Sequence, residues 1–161
     1  MTGPEAQALM SNHIFARRWY RPTVGDRVKL LSTVSLFSGI GKRRLRALAR
    51  QATLAEFAPG ETVLANGDRA DSLYVILSGA ARALGKPAGR VLRSGDYFGE
   101  LALLAGGPRS ATIVATRELH VMRVPGQPFL RLARHQPSIA LAMMRNLTTQ
   151  LRRLETRTPR P

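Results

Sequence analysis

The chain has 161 residues, of which 44% are hydrophobic and 22% charged, a length that suits one domain with a sizeable core. It has no cysteine, which excludes disulfide scaffolds, thiolate zinc sites and cysteine nucleophiles, and no apolar stretch of roughly 20 residues to cross a bilayer, so we expect a cytoplasmic protein. The formal charge of +15 divides into +8 over residues 1–53, +1 over residues 54–124 and +6 over residues 125–161, and these basic flanks are either solvated surface or a site for an anionic partner.

The N-terminal third is predicted to be helical. Residues 1–29 form a basic helical segment or linker, in which Leu9, Ile14 and Trp19 have a loosely helical spacing. A helical stripe follows, made by Val24, Val28, Leu31 and Val34. Ser38 is predicted to cap a further helix. The inward face of that helix consists of Leu45, Leu48, Ala49 and Ala52.

The middle of the chain changes to short runs of alternating side chains separated by turn residues. Seven strands are readable, at residues 54–57, 62–65, 73–77, 80–84, 90–92, 111–116 and 119–124. Closing a sheet removes the exposed edges that many short strands otherwise present. The pattern therefore favours a small barrel or double sheet.

Helical spacing returns after Pro125. Residues 138–153 contain neither glycine nor proline and are predicted to form one continuous helix. This helix carries a seam of apolar residues that are spaced alternately four and three apart, namely Ala140, Met144, Leu147, Leu151 and Leu154. We expect this seam to pack on its own domain, with a dimer contact as the alternative. Residues 155–161 are predicted to be a flexible tail.

The segment that indicates function is FGELALLAGGPRSAT, residues 98–112, which we call the cassette. It combines one predicted helical turn at residues 100–104 with a glycine-rich loop that ends on Arg109 and Ser110. Free N–H groups at the start of a turn, together with a guanidinium, suit a phosphate, and Glu100 suits a sugar hydroxyl. The alternative is a surface Glu and Arg that merely flank a loop.

The cassette closely resembles the phosphate-binding cassette of cyclic nucleotide-binding domains. These are the sensor modules of cyclic-nucleotide-dependent kinases, cyclic-nucleotide-gated channels and bacterial catabolite-activator transcription factors. NGDRADSLYVILSG, residues 66–79, is similar to the second signature of the family, although Ala70 stands where the family commonly has glycine. The resemblance covers residues 30–154. It implies an α+β, mainly β fold, an eight-stranded jelly-roll barrel at about residues 53–124 with N-terminal helices and two C-terminal helices at about 126–154, the last acting as a lid.

The resemblance also implies a ligand, cyclic AMP in preference to cyclic GMP, and a role for each matching residue. Glu100 would hold the ribose 2′-hydroxyl, Arg109 would pair with the cyclic phosphate, and Ser110 would lie beside phosphate and base. The other implied cassette contacts are Phe98, Gly99, Leu101, Ala102 and Ala111. Arg152 is predicted to cover the base, and Arg153 and Leu154 lie at a similar distance along the chain. The candidates to line the barrel beside the purine are Val63, Leu73, Val91, Leu92 and Ile113.

Nothing in the sequence indicates catalysis. His13, His120 and His135 are far apart without metal-ligand spacing, and the chain has no nucleophile elbow. We therefore expect a sensor without catalytic residues, metal or further cofactor.

The predicted output is movement of the C-terminal helices. Leu101 and Leu104 would contact an apolar face that includes Phe129, Leu132 or Met144. The partner would be an effector protein, a channel or another attached domain, with a place at the inner membrane face if that partner is a channel. We expect no sequence-specific DNA binding, because no predicted element after the barrel offers a recognition helix, and we expect that the chain is not itself transmembrane. The alternative is a nucleotide-insensitive basic module that binds nucleic acid or another anionic partner, against which the intact Glu100 and Arg109 argue.

Overall fold

The computed structural model describes residues 21–85 and 89–155, so the features predicted within residues 1–20 and 156–161 lie outside the described residues. Helices precede the sheets, α1 at Val24–Thr33, a 3₁₀ turn at Ser35–Phe37 and α2 at Lys42–Gln51. Helix α1 begins with a reciprocal capping box between Thr23 and Asp26. Ser38 does not cap α2, because it ends the 3₁₀ turn and Gly41 stands at the N-cap. The predicted inward face of α2 is buried.

Eight strands form two antiparallel four-stranded sheets. They are β1 Thr53–Phe57, β2 Thr62–Leu64, β3 Ser72–Ser78, β4 Ala80–Leu84, β5 Val91–Arg93, β6 Tyr97–Phe98, β7 Thr112–Ala115 and β8 Leu119–Pro125. The first sheet has the order β1-β8-β3-β6 and the second has the order β2-β7-β4-β5. This arrangement confirms the predicted jelly roll. It adds β6, which the sequence pattern missed because two residues are too few to show an alternation.

Gly79 fixes the sharp passage from β3 to β4. Its φ is +89°, and a Cβ at this position would lie 2.0 Å from the backbone oxygen of Glu118. Any other residue would push the β7–β8 connection away. The glycine that closes the second signature is therefore required by a close backbone approach.

Three helices complete the described fold, α3 Glu100–Ala105 between β6 and β7, and α4 Gly126–Arg134 and α5 Pro137–Glu155 after the sheets. One apolar core lies between the first sheet and the helices, where the rings of Phe37 and Phe129 meet edge to face at 6.2 Å. A second core, including Ile76 and Val121, lies inside the barrel. None of the helices within residues 21–85 and 89–155 is long and apolar enough to cross a membrane.

The part of the predicted α5 seam whose side chains the structure describes, Ala140 to Leu151, does not pack on its own domain. Met144 and Leu151 are 56% and 60% exposed, and Leu147 is exposed as well. Helix α5 packs instead through Ile139 and Met143, which are four residues apart on the neighbouring stripe. The spacing of the seam was read correctly, but the face that turns inward is the adjacent one.

The predicted boundary between residues 29 and 30 falls inside α1, whose Leu30 and Leu31 belong to the core. The division of the chain into an N-terminal segment, a domain and a tail stays a prediction.

Candidate functional site

A cavity of about 180 Å³ opens between the second sheet and α3. All eight cassette residues that were predicted to contact a ligand line it, namely Phe98, Gly99, Glu100, Leu101, Ala102, Arg109, Ser110 and Ala111. Leu92 and Ile113, from the predicted barrel lining, face the same cavity. The fold thus brings the two ends of the cassette together around one space.

Four predicted residues do not line this cavity. Leu64 lines the cavity where Val63 was predicted, and of the two predicted neighbours Val91 and Leu92 only Leu92 lines it, because neighbouring side chains of a strand point to opposite faces. Leu73 is fully buried in the other core, between the first sheet and the helices. Arg152 is exposed on α5, and Gln150 of the same helix lines the cavity instead.

Arg109 is 3% exposed and is held by backbone oxygens. Its Nη1 donates to the Gly99 oxygen at 2.8 Å, and its Nη2 donates to the Ser72 oxygen at 2.7 Å. The guanidinium also lies 5.8 Å from the centre of the Tyr74 ring. These contacts fix the orientation of the cation, and since a guanidinium has five N–H donors, it keeps others for a ligand.

The charge of Arg109 is only weakly balanced by protein. The carboxylate oxygen nearest to it is Oδ1 of Asp71 at 3.7 Å, and the Asp71 side chain is 56% exposed and also pairs with Arg123. A nearly buried cation with a distant, shared counter-ion favours a bound anion.

Gly99 lets the cassette turn and lets Arg109 approach. Its φ is +87°, the left-handed region, and it occupies the N-cap of α3. A Cβ on Gly99 would lie 2.8 Å from Nη1 of Arg109. Both the backbone conformation and the close contact therefore require glycine.

Glu100 is 5% exposed and lines the cavity at the first residue of α3. Burial raises the pKa of its carboxyl group, while Arg90 and Arg109 oppose that rise. Because the raised pKa disfavours the charged form in the folded state, Glu100 contributes stability at low pH that is lost as the pH rises through its folded-state pKa. At neutral pH the charge of Glu100 is therefore a cost to the stability of the fold.

Main-chain hydrogen bonds join the second signature, residues 66–79, to the cassette loop. The Gly67 N–H donates to the Arg109 oxygen and the Arg109 N–H donates to the Asp68 oxygen, both at 2.8 Å. The Asn66 side chain donates to the Ser110 oxygen at 3.2 Å. The two motifs that carried the resemblance therefore form one unit in space. Ala70 has no positive φ, so the turn is built around Gly67 at +88°.

Leu103 connects the cassette to the C-terminal helices. It belongs to the same core as Phe129 of α4, and a Cβ on Gly126 would lie 2.6 Å from its Cδ2 atom. Leu101 and Leu104, which were predicted to make this contact, are exposed. The buried apolar residues of α3 are Ala102 and Leu103, each next to one of the two predicted positions.

Sequence reasoning missed five cavity residues, Leu64, Ala83, Arg90, Tyr97 and Gln150. Arg90 precedes β5, and Tyr97 belongs to the unpredicted β6. Burial, with a further contribution from the nearby Glu100, raises the pKa of Tyr97, so its hydroxyl stays protonated at neutral pH. Gln150 lies 40 residues beyond Ser110, and only the tertiary fold brings it to the cavity. Residues 21–85 and 89–155 contain no cluster of three or more His, Cys, Asp or Glu side chains that would hold a metal ion.

Comparison with known proteins agrees with this geometry. The family described as cyclic nucleotide-binding domain matches residues 54–136, just over half of the chain. Among curated relatives, a cGMP-dependent protein kinase of Toxoplasma gondii is 39% identical over 54% of this chain and 9% of its own length. A CRP-like cAMP-activated global transcriptional regulator of Mycobacterium tuberculosis is 29% identical over 78% of this chain and 58% of its own length. A cAMP-dependent protein kinase regulatory subunit of Colletotrichum orbiculare is 35% identical over 77% and 31%.

Solved structures share the architecture. The catabolite activator protein of Thermus thermophilus superposes with a TM-score of 0.61 and 26% identity, over 76% of this chain and 60% of that one. The regulatory domain of Toxoplasma gondii PKA, crystallised with cAMP, gives a TM-score of 0.68 over 78% of this chain and 50% of that one, and at 23% identity it shows the fold alone. The chain spans less than two thirds of the length of these relatives. The family match, the jelly roll and the cassette together establish that this chain belongs to the family of cyclic nucleotide-binding domains.

Proposed function

We propose that the cavity binds a 3′,5′-cyclic nucleotide, cyclic AMP in preference to cyclic GMP, and releases it unchanged. One observation carries the proposal. Glu100 and Arg109, each nearly buried and of opposite charge, face the same cavity from the two ends of the cassette. Burying two ionised groups is costly, and a ligand with a hydroxyl donor for one and an anionic group for the other offsets that cost.

The charges that line the cavity favour a monoanion. Arg90 and Arg109 provide two positive charges and Glu100 provides one negative charge. A cyclic phosphate is a phosphodiester with a single negative charge, so it balances the site, whereas a di- or triphosphate would leave excess negative charge beside Glu100. The proposed site therefore selects its ligand by charge.

Each group has a proposed contact. The remaining N–H donors of Arg109 bind the phosphate oxygens, the Glu100 carboxylate accepts from the ribose 2′-hydroxyl, and Leu101 and Ala102 add backbone groups at the start of α3. The cavity volume of about 180 Å³ is below the roughly 300 Å³ at which small-molecule pockets usually begin. A nucleotide would therefore fill the cavity and extend toward α5, where Gln150 lies.

The proposed output runs through the C-terminal helices to an effector, either a partner protein or a domain attached to this chain. Phosphate and ribose would displace α3, and Leu103 would pass that displacement to α4 through its contact at Gly126. The ligand shifts this equilibrium only by its differential affinity for the two packings. The regulatory relatives, a kinase subunit and a transcriptional regulator named as cAMP-dependent and cAMP-activated, support an output of this kind.

Ser110 is the residue that bears on the choice between cyclic AMP and cyclic GMP. Ser110 lines the cavity and is exposed, so its hydroxyl is available to a phosphate oxygen or to the amino group of guanine. One hydrogen bond contributes about 0.5 to 1.5 kcal/mol, which biases the choice of base by roughly tenfold at most. Two of the relatives above are named for cAMP and one for cGMP.

Thermal unfolding with added nucleotide tests the proposal. Cyclic AMP at one hundred times its Kd should stabilise the folded state by about 2.7 kcal/mol, which corresponds to a rise in Tm of roughly 5 to 10 °C for a chain of this size. Unchanged melting at millimolar cyclic AMP and cyclic GMP would refute the function.

Arg109 variants locate the phosphate. Arg109→Leu should remove most of the stabilisation by nucleotide, because the bound phosphate loses its paired cation. Arg109 also holds two backbone oxygens, so Arg109→Lys serves as the second variant, which keeps the charge and loses the planar fork. A folded variant of either kind that binds within threefold of wild type would show that the phosphate lies elsewhere.

A second candidate function is supported by the basic surface of α2. Lys42, Arg43, Arg44, Arg46 and Arg50 are all exposed on this one helix. Such a surface would attract nucleic acid without reading its sequence, with an affinity that falls steeply between about 50 and 200 mM salt. We propose that sequence-specific DNA binding is absent, and a footprint on one sequence that persists at physiological salt would contradict this.

A further inference from the structure

A hydrogen bond ties the last helix to the edge of the cavity. The side-chain nitrogen Nδ2 of Asn146, on α5, donates to the hydroxyl oxygen of Tyr97, on β6, at 3.1 Å. Tyr97 is nearly buried, lines the cavity and directly precedes Phe98 of the cassette. The bond therefore joins the middle of α5 to a residue that lines the proposed site.

This tie acts where α5 has few apolar anchors. The described buried apolar residues of α5, Ile139 and Met143, lie in its first two turns. Further along, Met144, Leu147 and Leu151 are exposed. A helical segment with little apolar burial opens locally at low cost in free energy. The bond from Asn146 to Tyr97 is a polar contact that joins this segment to the barrel.

Gln150 lies exactly four residues after Asn146, so the two side chains share a face of α5. That face carries the Tyr97 contact at one turn and lines the cavity at the next. Gln150 therefore lines the cavity one helical turn beyond the residue that donates to Tyr97. Thr149, the neighbour of Gln150, points its hydroxyl at the backbone oxygen of Arg145 in its own helix.

We propose that Asn146 and Tyr97 are a positioning pair that holds α5 over the cavity, so that Gln150 contacts the nucleotide, and that the pair thereby sets nucleotide affinity. This inference rests on the proposed function. Neither residue is assigned a contact with the ligand, since both act through the place of the helix.

A double-mutant cycle with cyclic AMP as the probe tests the pair. Tyr97→Phe and Asn146→Ala each remove the same hydrogen bond, so each should weaken binding by about 2- to 12-fold, the effect of one net hydrogen bond. The double variant should be no weaker than the weaker single variant, because only one bond is lost. Thr149→Ala, a change of similar size on the same helix, should leave affinity within twofold.

Two readouts separate positioning from general destabilisation. In the Gln150→Ala background, loss of the tie should change affinity much less, because the group that it positions is gone. Amide exchange without nucleotide should speed up over residues 146–155 in Tyr97→Phe and Asn146→Ala, while α2 keeps its protection. Purely additive losses, or single variants that bind like wild type, would overturn the inference and leave the proposed function standing. Failure of wild type to bind either nucleotide would refute the proposed function, and the inference with it.

Discussion

Two glycines flank α3 and differ in one respect that the structure makes measurable. Gly99 and Gly106 both have a positive φ, +87° and +70°. A Cβ on Gly99 would lie 2.8 Å from Nη1 of Arg109, whereas a Cβ on Gly106 would meet nothing within 4 Å. Gly99→Ala and Gly106→Ala therefore form a matched pair, in which only the first disturbs Arg109, the residue proposed to bind the phosphate.

The expected magnitudes follow from these contacts. Both substitutions place an L-residue in the left-handed region, at about 1 to 2 kcal/mol of lost stability. Gly99→Ala also displaces Arg109 from its hydrogen bond to the Gly99 oxygen, and a bond to a charged group contributes about 1.5 to 3 kcal/mol. We expect total losses of about 2.5 to 5 kcal/mol for Gly99→Ala and about 1 to 2 kcal/mol for Gly106→Ala.

Urea unfolding measures the stability of each variant, and titration at a temperature where both are folded measures cyclic AMP affinity. Gly99→Ala should lose at least tenfold in affinity, because a shift of Arg109 breaks a charge-assisted contact with the phosphate. Gly106→Ala should bind within threefold of wild type. Equal losses of affinity in the two variants would refute the argument that the Gly99 contact positions Arg109.

Other substitutions test the remaining groups of the site. Glu100→Gln should weaken cyclic AMP by about 5- to 10-fold, since a neutral acceptor replaces a charged one, and should raise the Tm at neutral pH. The gain in Tm should shrink as the pH falls toward 4.5, the ordinary pKa of the group, because the raised pKa of Glu100 penalises only its charged form; a gain that is independent of pH would contradict this. Ser110→Ala should weaken both cyclic nucleotides equally if its hydroxyl contacts only phosphate, and selective loss of cyclic GMP from a wild type that prefers it would overturn the preference for cyclic AMP. Arg90→Gln should weaken cyclic AMP by a few-fold at low salt and less at high salt, because a partly exposed charge is screened, and an effect independent of salt would argue against its role.

The cassette was predictable because its groups are close together in the chain and their sequence resembles a known motif. Glu100 and Arg109 are nine residues apart, and one turn with one loop brings them to the same cavity. The order of helices and strands was also predictable, since turn residues separate the strands and a stretch without glycine or proline marks α5.

Which side chains of a strand or helix point inward was harder to predict than the order of the helices and strands. The prediction of Val63 was one residue from Leu64, which lines the cavity, and both Val91 and Leu92 were predicted although only Leu92 lines it. Alternation fixes the period of a strand but not which set of side chains points inward. On α5 the exposed and the buried stripes are both apolar, so spacing alone did not show that Met143, rather than the predicted Met144, faces the core. Gln150 and Tyr97 carry no local signal, because their role follows from how α5 crosses the barrel.

Calorimetric titration of the purified chain with cyclic AMP, repeated with cyclic GMP, tests the central claim most directly. The proposed site predicts saturable heat with one nucleotide bound per chain, and tighter binding of cyclic AMP than of cyclic GMP. The same titration of folded Arg109→Lys should show much weaker binding of both ligands. Absence of saturable heat with either nucleotide at millimolar concentration, from wild-type protein that is shown to be folded, would contradict the claim that the cavity bounded by Glu100 and Arg109 is a cyclic nucleotide site.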